Sequence, residues 1–128
     1  MSDAEIRIIE ESLNERREKF TKSKKYIDEV YYNGQKRLTI NLGLRLTETE
    51  DNKIKLEKSE EKIGEREVEV AEEVLNERRD KFIETKKYDD SVFYNAQKEL
   101  MILLGYSPEI TKNNKIKLIN KEQAKISV

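Results

Sequence analysis

Two adjacent arginines occur twice in the chain, within LNERREKF at positions 13–20 and LNERRDKF at positions 75–82. A Lys-Lys-Tyr triplet follows each pair, at 24–26 and 86–88. Arginine binds carboxylates and phosphates through parallel hydrogen bonds, lysine adds a point charge, and a tyrosine ring can stack on a partner group. We therefore predict a duplicated surface for a protein partner or an anion. Its residues are Arg16, Arg17, Lys24, Lys25, Tyr26, Tyr32, Arg78, Arg79, Lys86, Lys87, Tyr88 and Tyr94.

A structural role competes with this binding role for the arginines. On a helix the two members of each pair flank an apolar stripe, so their stems can cover the edge of the core while their guanidinium groups pair with carboxylates. Acidic residues also interrupt the basic surface in both copies, which makes the local potential mixed rather than strongly positive. Nucleic-acid binding is therefore the alternative to protein binding. The carboxylates within reach of the arginines include Glu10, Glu15, Glu73 and Glu77.

The rest of the composition offers little for catalysis. The 128 residues include no histidine and no cysteine, which removes the commonest general base, the thiol nucleophile and the usual zinc ligands. Lys and Arg number 26 against 27 Asp and Glu, so no overall attraction to nucleic acid or to an anionic membrane is expected. We predict a non-enzymatic protein without a cofactor or bound metal. Because no run of about 18 apolar residues occurs, a soluble cytoplasmic protein is expected.

The chain aligns with itself without a gap at an offset of 62 residues. Between residues 10–56 and 72–118, 28 of 47 positions are identical, far more than chance gives. We interpret the chain as a tandem duplication whose two copies form a pseudo-dimer about an approximate twofold axis. Because a unit of about 60 residues rarely buries enough apolar surface alone, the two should pack as one domain. The predicted boundaries are 1–58 for the first unit, 59–66 for a charged linker and 67–128 for the second unit.

Each unit is predicted to begin with a hairpin of two helices. In the first helix Ile6, Ile9, Leu13 and Phe20 fall on one face at about 100° per residue, and the second copy repeats this apolar stripe. A second helix follows the Lys-Lys-Tyr triplet and ends near Gly43 or its counterpart. The two helices of a unit should pack antiparallel, which gives a four-helix arrangement for the whole chain.

The second helix of each unit carries two further signals. Gly34 and Ala96 lie on its apolar stripe and are small enough to let another helix approach closely. Gln35 and Gln97 lie on the same stripe, where a buried amide must be hydrogen-bonded. We predict that both glutamines are structural buried polar residues, and that each is a candidate hydrogen-bond partner of the other.

A shorter segment follows the glycine in each unit. In the first unit LRLTETEDNKIKLEK alternates apolar and polar residues around a turn-rich centre, which indicates a β-hairpin. In the second unit Pro108 stands where the first has Leu46, so this strand must lie at a sheet edge or be broken. The predicted fold is therefore mainly α, with a short β-hairpin or extended segment after each pair of helices.

The two copies differ at positions that flank the shared stripes. Four polar residues of the first copy are apolar in the second, so the second unit either is more buried or carries an extra interface. A homodimer formed through the second unit is therefore an alternative to simple burial. The four replacements are Ser12 by Val74, Thr21 by Ile83, Thr39 by Met101 and Asn41 by Leu103.

The function that these features favour is binding. We predict a small interaction or regulatory protein that presents two similar helical surfaces to a protein partner. The alternative is a nucleic-acid-associated protein that uses the duplicated Arg, Lys and Tyr residues. Phosphate contacts weaken steeply with salt and apolar protein contacts do not, so the salt dependence of binding separates the two predictions.

Overall fold

The computed structural model of the chain describes residues 1–58 and 66–121. This part of the protein is mainly helical, as predicted, and contains four helices and two small antiparallel β-hairpins. Residues 1–58, the first half, and residues 66–121, the second half, contain the same four elements in the same order. The elements are α1 (Asp3–Ser23), α2 (Tyr26–Asn41), β1 (Leu44–Glu48), β2 (Ile54–Lys58), α3 (Glu67–Thr85), α4 (Tyr88–Leu103), β3 (Tyr106–Ile110) and β4 (Ile116–Asn120).

Helix α1 has a defined cap at each end. The Ser2 hydroxyl accepts a hydrogen bond from the Glu5 amide (3.1 Å), and the Glu5 carboxylate accepts one from the Ser2 amide (3.0 Å). These bonds satisfy two amides that the first turn leaves free. At the other end Lys24 is left-handed (φ 56°) and its amide donates to the Phe20 carbonyl (2.8 Å), while α3 ends in the same way at Lys86 (φ 57°). The left-handed residue reverses the chain, so the next helix packs back on the one before it.

Helices α2 and α4 pack against each other at the centre of the molecule. A Cβ atom on Gly34 would lie 2.7 Å from the Phe93 carbonyl oxygen and 2.9 Å from the Ala96 Cβ atom. Because backbone would have to move to accommodate it, this close approach requires glycine, and the role predicted for Gly34 is confirmed. The first turns of the two helices are also neighbours, since the charge of Asp89 acts on the Tyr26 hydroxyl. The two helices therefore run in the same direction.

Both segments that follow the helices are true two-stranded hairpins. β1 pairs with β2 and β3 pairs with β4 in the same register, with Leu46 opposite Leu56 and Pro108 opposite Leu118. Pro108 does not break β3, because each strand of a two-stranded sheet has an unpaired edge at which a missing amide is tolerated. Of the two arrangements that the proline allowed, the edge strand is the one observed.

One buried cluster joins the helices to the inner faces of the hairpins. Ile9 and Leu13 of the predicted α1 stripe are completely buried, whereas Phe20 is half-buried near the end of the helix. The β1–β2 hairpin packs against α1 and the β3–β4 hairpin packs against α3, and buried residues of both hairpins complete this core. The cluster comprises Ile9, Leu13, Leu38, Leu42, Leu44, Ile54, Leu56, Ala71, Val74, Leu75, Tyr94, Leu100, Met101, Ile116 and Leu118.

The four positions at which the second half gains apolar residues divide into two groups. Val74 and Met101 are buried, as are the polar side chains at the equivalent positions of the first half. Ile83 and Leu103 are exposed over nearly half of their surface. The second half therefore differs from the first both inside its core and on its surface.

Two stretches lie outside the described residues. Residues 59–65 make up nearly all of the predicted linker, and residues 122–128 end the predicted second unit. Arg66, the last linker residue, immediately precedes α3. In the portion of the chain that the structure describes, no helix has both the length and the apolar character needed to cross a membrane.

Candidate functional site

A row of polar side chains on α1 binds the free edge of β2. The Glu10 carboxylate accepts a hydrogen bond from the Leu56 amide (2.7 Å). The Asn14 side chain accepts one from the Ile54 amide (2.7 Å) and donates another to the Ile54 carbonyl (3.1 Å). Residues four apart on a helix share a face, so Glu10 and Asn14 reach the same strand. They satisfy backbone groups that an edge strand would otherwise leave unpaired.

Arg17 extends this row to the turn of the hairpin. Its guanidinium donates to the Asn52 carbonyl (3.0 Å) and to the Asn52 side-chain oxygen (3.1 Å), and it pairs with Glu48 (2.9 Å). Asn52 adopts a left-handed conformation (φ 62°), which asparagine tolerates better than most other residues. Arg17 therefore fixes the turn of the hairpin against α1.

The second half repeats the row with one difference. Glu72 accepts a hydrogen bond from the Leu118 amide of β4 (2.9 Å). Asn76 accepts one from the Ile116 amide (2.7 Å). Arg79 donates to the Asn114 carbonyl (2.9 Å) and to its side-chain oxygen (3.0 Å). Ile110 occupies the position that Glu48 holds in the first half, so the carboxylate partner of the arginine is not repeated.

The first arginine of each pair contacts an aromatic ring of the next helix. The Arg16 guanidinium carbon lies 4.1 Å from the centroid of the Tyr31 ring, and Arg78 lies at the same distance from Phe93. A guanidinium over a ring face is attracted by the negative electrostatic potential of that face. Both arginines of each pair are thus engaged inside the protein, one with a ring and one with a hairpin turn.

The carboxylate that pairs with Arg17 differs from those that helix spacing suggested. It is Glu48 of β1, rather than Glu10 or Glu15. Glu10 instead accepts a backbone amide of β2. Helix spacing relates residues of one helix and could not show that the hairpin turn folds back over α1.

Tyr32 and Tyr94 were also predicted for the binding surface. They lie near Arg17 and Arg79, respectively, rather than near the lysines of the Lys-Lys-Tyr triplets. Tyr32 is half-buried and packs against the buried cluster, and Tyr94 belongs to that cluster. Burial raises the pKa of both hydroxyl groups, and the charge of Arg17 or Arg79 nearby opposes this effect. Their rings support the core and offer little surface to a partner.

The Lys-Lys-Tyr triplets lie in the tight turns between consecutive helices. In the first turn the Ser23 hydroxyl accepts a hydrogen bond from the Lys25 amide (3.2 Å) and donates one to the Asp28 carboxylate (2.6 Å). Thr85 makes the same two bonds in the second turn. The backbone that carries the lysines and the tyrosine is therefore held by side chains of the turn itself.

The two turns lie side by side at one end of the molecule. The charge of Asp89, with a hydrogen bond from the Tyr26 hydroxyl to its carboxylate, raises the pKa of Tyr26. Asp89 directly follows Tyr88, so this contact joins the first turn to the second. Tyr26 and Tyr88 are 64% and 70% exposed, more than any other large apolar side chain in the described residues. We call this surface the lysine-tyrosine end; it comprises Lys24, Lys25, Tyr26, Lys86, Lys87 and Tyr88.

The lysine-tyrosine end combines exposed positive charge with exposed aromatic rings. Its four lysines are exposed, and its two rings stand beside them. Asp28 and Asp90 are each 3.9 Å from a lysine of the preceding helix, Lys19 and Lys81, which offsets part of their charge. Within residues 1–58 and 66–121, no group of three side chains is arranged to hold a metal ion.

Gln35 and Gln97 are completely buried, but their surroundings differ. Gln35 Oε1 accepts the Ser12 hydroxyl (2.7 Å), whereas Val74 stands at the Ser12 position in the second half. Among the described residues, neither side-chain atom of Gln97 has a hydrogen-bond partner, and Gln35 Nε2 also lacks one. The predicted bond between the two glutamines is therefore not formed. The second half keeps the amide but lacks the hydroxyl that serves it in the first.

Sequence reasoning did not identify the row that binds the hairpins. A signal for it was present, because the two longest segments that are identical in both halves are LNERR and NKIKL. In the structure these two segments bind each other, through Asn14 and Arg17 on one side and Asn52 and Ile54 on the other. Segments that contact each other are expected to resist change together.

Comparison of the chain with models of known protein families, with curated proteins and with solved structures found no match. The function of the chain is therefore inferred from the geometry of its own residues. Among the described residues, the most exposed aromatic rings are those of the lysine-tyrosine end, and the rows on α1 and α3 hold the two hairpins.

Proposed function

We propose that this protein is a non-enzymatic interaction or regulatory protein that binds a protein partner through the lysine-tyrosine end. The observation that carries the proposal is the pair of exposed tyrosines, Tyr26 and Tyr88, which lie on two neighbouring turns fixed by Ser23 and Thr85. Aromatic residues are enriched in protein interfaces and among the residues that dominate binding. A ring on a fixed turn loses little conformational freedom when a partner covers it.

The two halves favour a partner that meets two similar surfaces. We take them as tandem copies related by an approximate twofold axis, because 28 of 47 positions are identical and the elements share order and register. Such an axis would pass between α2 and α4, where Gly34 meets Ala96. It would relate the two Lys-Lys-Tyr turns, so one kind of partner surface could contact either turn or two copies could contact both.

Site-specific photocrosslinking in an extract of the native cells tests this proposal. A benzophenone amino acid is placed at Tyr26 or at Tyr88, and Thr47, an exposed residue of β1, serves as the control position. The proposal predicts that the same protein is captured from both tyrosine positions and not from Thr47. Capture of unrelated proteins at the two tyrosines, or of none, would contradict it.

Nucleic-acid binding is the second candidate, and one observation favours it. Four lysines and two exposed rings share one end of the molecule, and lysines that contact phosphates beside rings that stack on bases are typical of single-strand binding. Mobility shifts with duplex DNA, single-stranded DNA and RNA at about 50 mM salt test this candidate, because phosphate contacts are strong at low salt. A shift that weakens steeply with added salt supports it, and no shift with any of the three removes it.

A further inference from the structure

The two hairpin turns differ in charge although their backbones agree. Residues 48–53 read ETEDNK in the first half, and residues 110–115 read ITKNNK in the second. The first turn has three carboxylates and one lysine, whereas the second has two lysines and no carboxylate. Asn52 and Asn114 keep the same left-handed conformation, with φ of 62° and 61°. The shape of the turn is retained while the sign of its charge is reversed.

Arg79 is the residue most affected by this reversal. In the first half the equivalent Arg17 pairs with Glu48 at 2.9 Å. In the second half Ile110 stands at the Glu48 position, and the hydrogen bonds that Arg79 donates among the described residues are the two to Asn114. Arg79 is half-buried, so its charge is partly shielded from water while no acid of the described chain pairs with it. A guanidinium in this setting favours a carboxylate, which it can hold through two hydrogen bonds.

Two exposed isoleucines flank Arg79. Ile83 lies one turn further along the same face of α3 and is 48% exposed. Ile110 is 56% exposed and lies opposite the buried Ile116. Cross-strand partners share a face of the sheet, so Ile110 lies on the face of the hairpin that is turned towards α3. Because Glu48 reaches Arg17 from the equivalent position of the first half, we expect apolar surface on two sides of Arg79, which pairs with no acid of the described residues.

The surface around Arg17, which corresponds in the first half to the surface around Arg79, is a groove between α1 and the hairpin turn. It has a volume of about 420 Å³, and Arg17, Thr21 and Asn52 are among the residues that line it. A groove of this size admits one or two side chains of a partner. In the second half the exposed acids Asp80 and Glu84 occupy two of the lining positions on the helix, so preference for a carboxylate must come from Arg79 and the turn lysines.

We propose that Arg79, Ile83 and Ile110 form a docking site for an acidic and apolar segment of a protein partner. An aspartate or glutamate of the partner binds the Arg79 guanidinium in the place that Glu48 takes in the first half. An adjacent apolar side chain of the partner packs against the two isoleucines. The site uses none of the residues of the lysine-tyrosine end and can fail or hold independently of the function proposed above.

Two substitutions exchange the local chemistry of the two halves and make the test specific. Ile110→Glu supplies Arg79 with the acid that Arg17 already has, and so should close the site without disturbing the fold. Glu48→Ile frees Arg17 and should make the first half more like the second. Thr47→Glu is the matched control, because it adds the same charge at an exposed position of the other hairpin. Thermal melting followed by circular dichroism verifies that each variant is folded.

The probe is an array of short labelled peptides in which one glutamate is flanked by leucine or isoleucine, with a parallel set that carries glutamine instead. Fluorescence anisotropy measures binding to the full chain. We expect some glutamate peptides to bind, and their affinity to fall at least about tenfold with glutamine in the peptide or with Ile110→Glu in the protein. Thr47→Glu should leave the affinity unchanged, and Glu48→Ile should add a second, weaker site.

Several results would overturn this proposal. Absence of binding by every peptide would do so, as would equal binding of the glutamine peptides or an Ile110→Glu variant that binds as well as the wild type. Light scattering that shows self-association, abolished by Ile110→Glu, would assign the surface to a second copy of the chain instead. Binding of an oligonucleotide that Ile110→Glu abolishes, in the absence of peptide binding, would assign it to nucleic acid.

Discussion

The Asn14 side chain acts towards β2 much as a neighbouring strand would. It accepts the Ile54 amide and donates to the Ile54 carbonyl, so it forms both bonds that an antiparallel partner residue would form. Asn76 does the same for Ile116. A hairpin of two short strands is marginal by itself, and these side chains supply the pairing that a third strand would give.

Substitution of Asn14 by alanine should therefore destabilise the fold. It leaves the Ile54 amide and carbonyl without partners, and we expect a loss of about 1–3 kcal/mol in the free energy of unfolding. Hydrogen exchange should show faster exchange of the Ile54 amide, and chemical denaturation measures the free energy. Asn33→Ala, at an exposed position of α2, is the control and should change stability by no more than about 0.5 kcal/mol. An Ile54 amide that stays equally protected in Asn14→Ala would contradict the role assigned to Asn14.

Gln97 and Gln35 provide a pair of opposite predictions. Methionine has a similar shape and needs no hydrogen bond, so Gln97→Met should raise the free energy of unfolding by about 1–3 kcal/mol. Gln35→Met removes the acceptor of the Ser12 hydroxyl and should lower it or leave it unchanged. Urea denaturation of the two variants measures both effects. A clear loss of stability in Gln97→Met would show that the Gln97 amide is satisfied.

At the scale of the elements, the helices and the turns could be predicted from local pattern, because each depends on residues close in sequence. The apolar stripe through Ile9 and Leu13 predicts a helix, and the alternation of apolar and polar residues in LRLTETEDNKIKLEK predicts a hairpin. The row from α1 to β2 could not be predicted in this way, since Glu10 and Leu56 are brought together by the fold. For the same reason the binding surface predicted from Arg-Arg and Lys-Lys-Tyr separates into two groups of residues with different surroundings.

The contact between the two helix turns predicts a specific titration. Asp89→Asn removes the charge that raises the pKa of Tyr26, so this pKa should fall towards its ordinary value of 10.0. Because the folded-state pKa is the higher one, the contact favours the folded state below the ordinary pKa and this effect is lost as the pH rises through the folded-state pKa. NMR of ring-labelled tyrosine, with Tyr26→Phe for assignment, measures the shift. Asp3→Asn, at the start of α1, is the control, and an unchanged Tyr26 pKa in Asp89→Asn would mean that the turns are not neighbours.

At the scale of the whole molecule, the close approach of α2 and α4 determines whether the two halves remain together. Gly34→Ala improves helix propensity by about 1 kcal/mol, yet its Cβ atom would meet the Phe93 carbonyl oxygen and the Ala96 side chain. We expect overpacking to outweigh propensity and to lower the free energy of unfolding by about 1–3 kcal/mol. Denaturant titration measures this, with Asn33→Ala again as the neighbouring control. Greater stability in Gly34→Ala than in the wild type would contradict the close packing.

The whole molecule divides its repeated residues between two tasks. One arginine of each pair binds a hairpin turn, and the other contacts a ring of α2 or α4. The Lys-Lys-Tyr turns are instead exposed and lie together at one end. Loss of an arginine should therefore affect stability first, and loss of a tyrosine should affect binding first. The contacts of the arginines and the exposure of the tyrosines are both explained by this division of roles.

Calorimetric titration of the captured partner against a Tyr26→Ala/Tyr88→Ala variant tests this division of roles between the arginines and the tyrosines. We expect a melting temperature close to that of the wild type and an affinity at least about tenfold weaker for each tyrosine removed. Arg16→Ala/Arg78→Ala, which removes the two ring contacts of the arginine pairs, should show the reverse, with a lower melting temperature and partner affinity retained below it. An unchanged affinity in the tyrosine variant would contradict the assignment of partner binding to the lysine-tyrosine end.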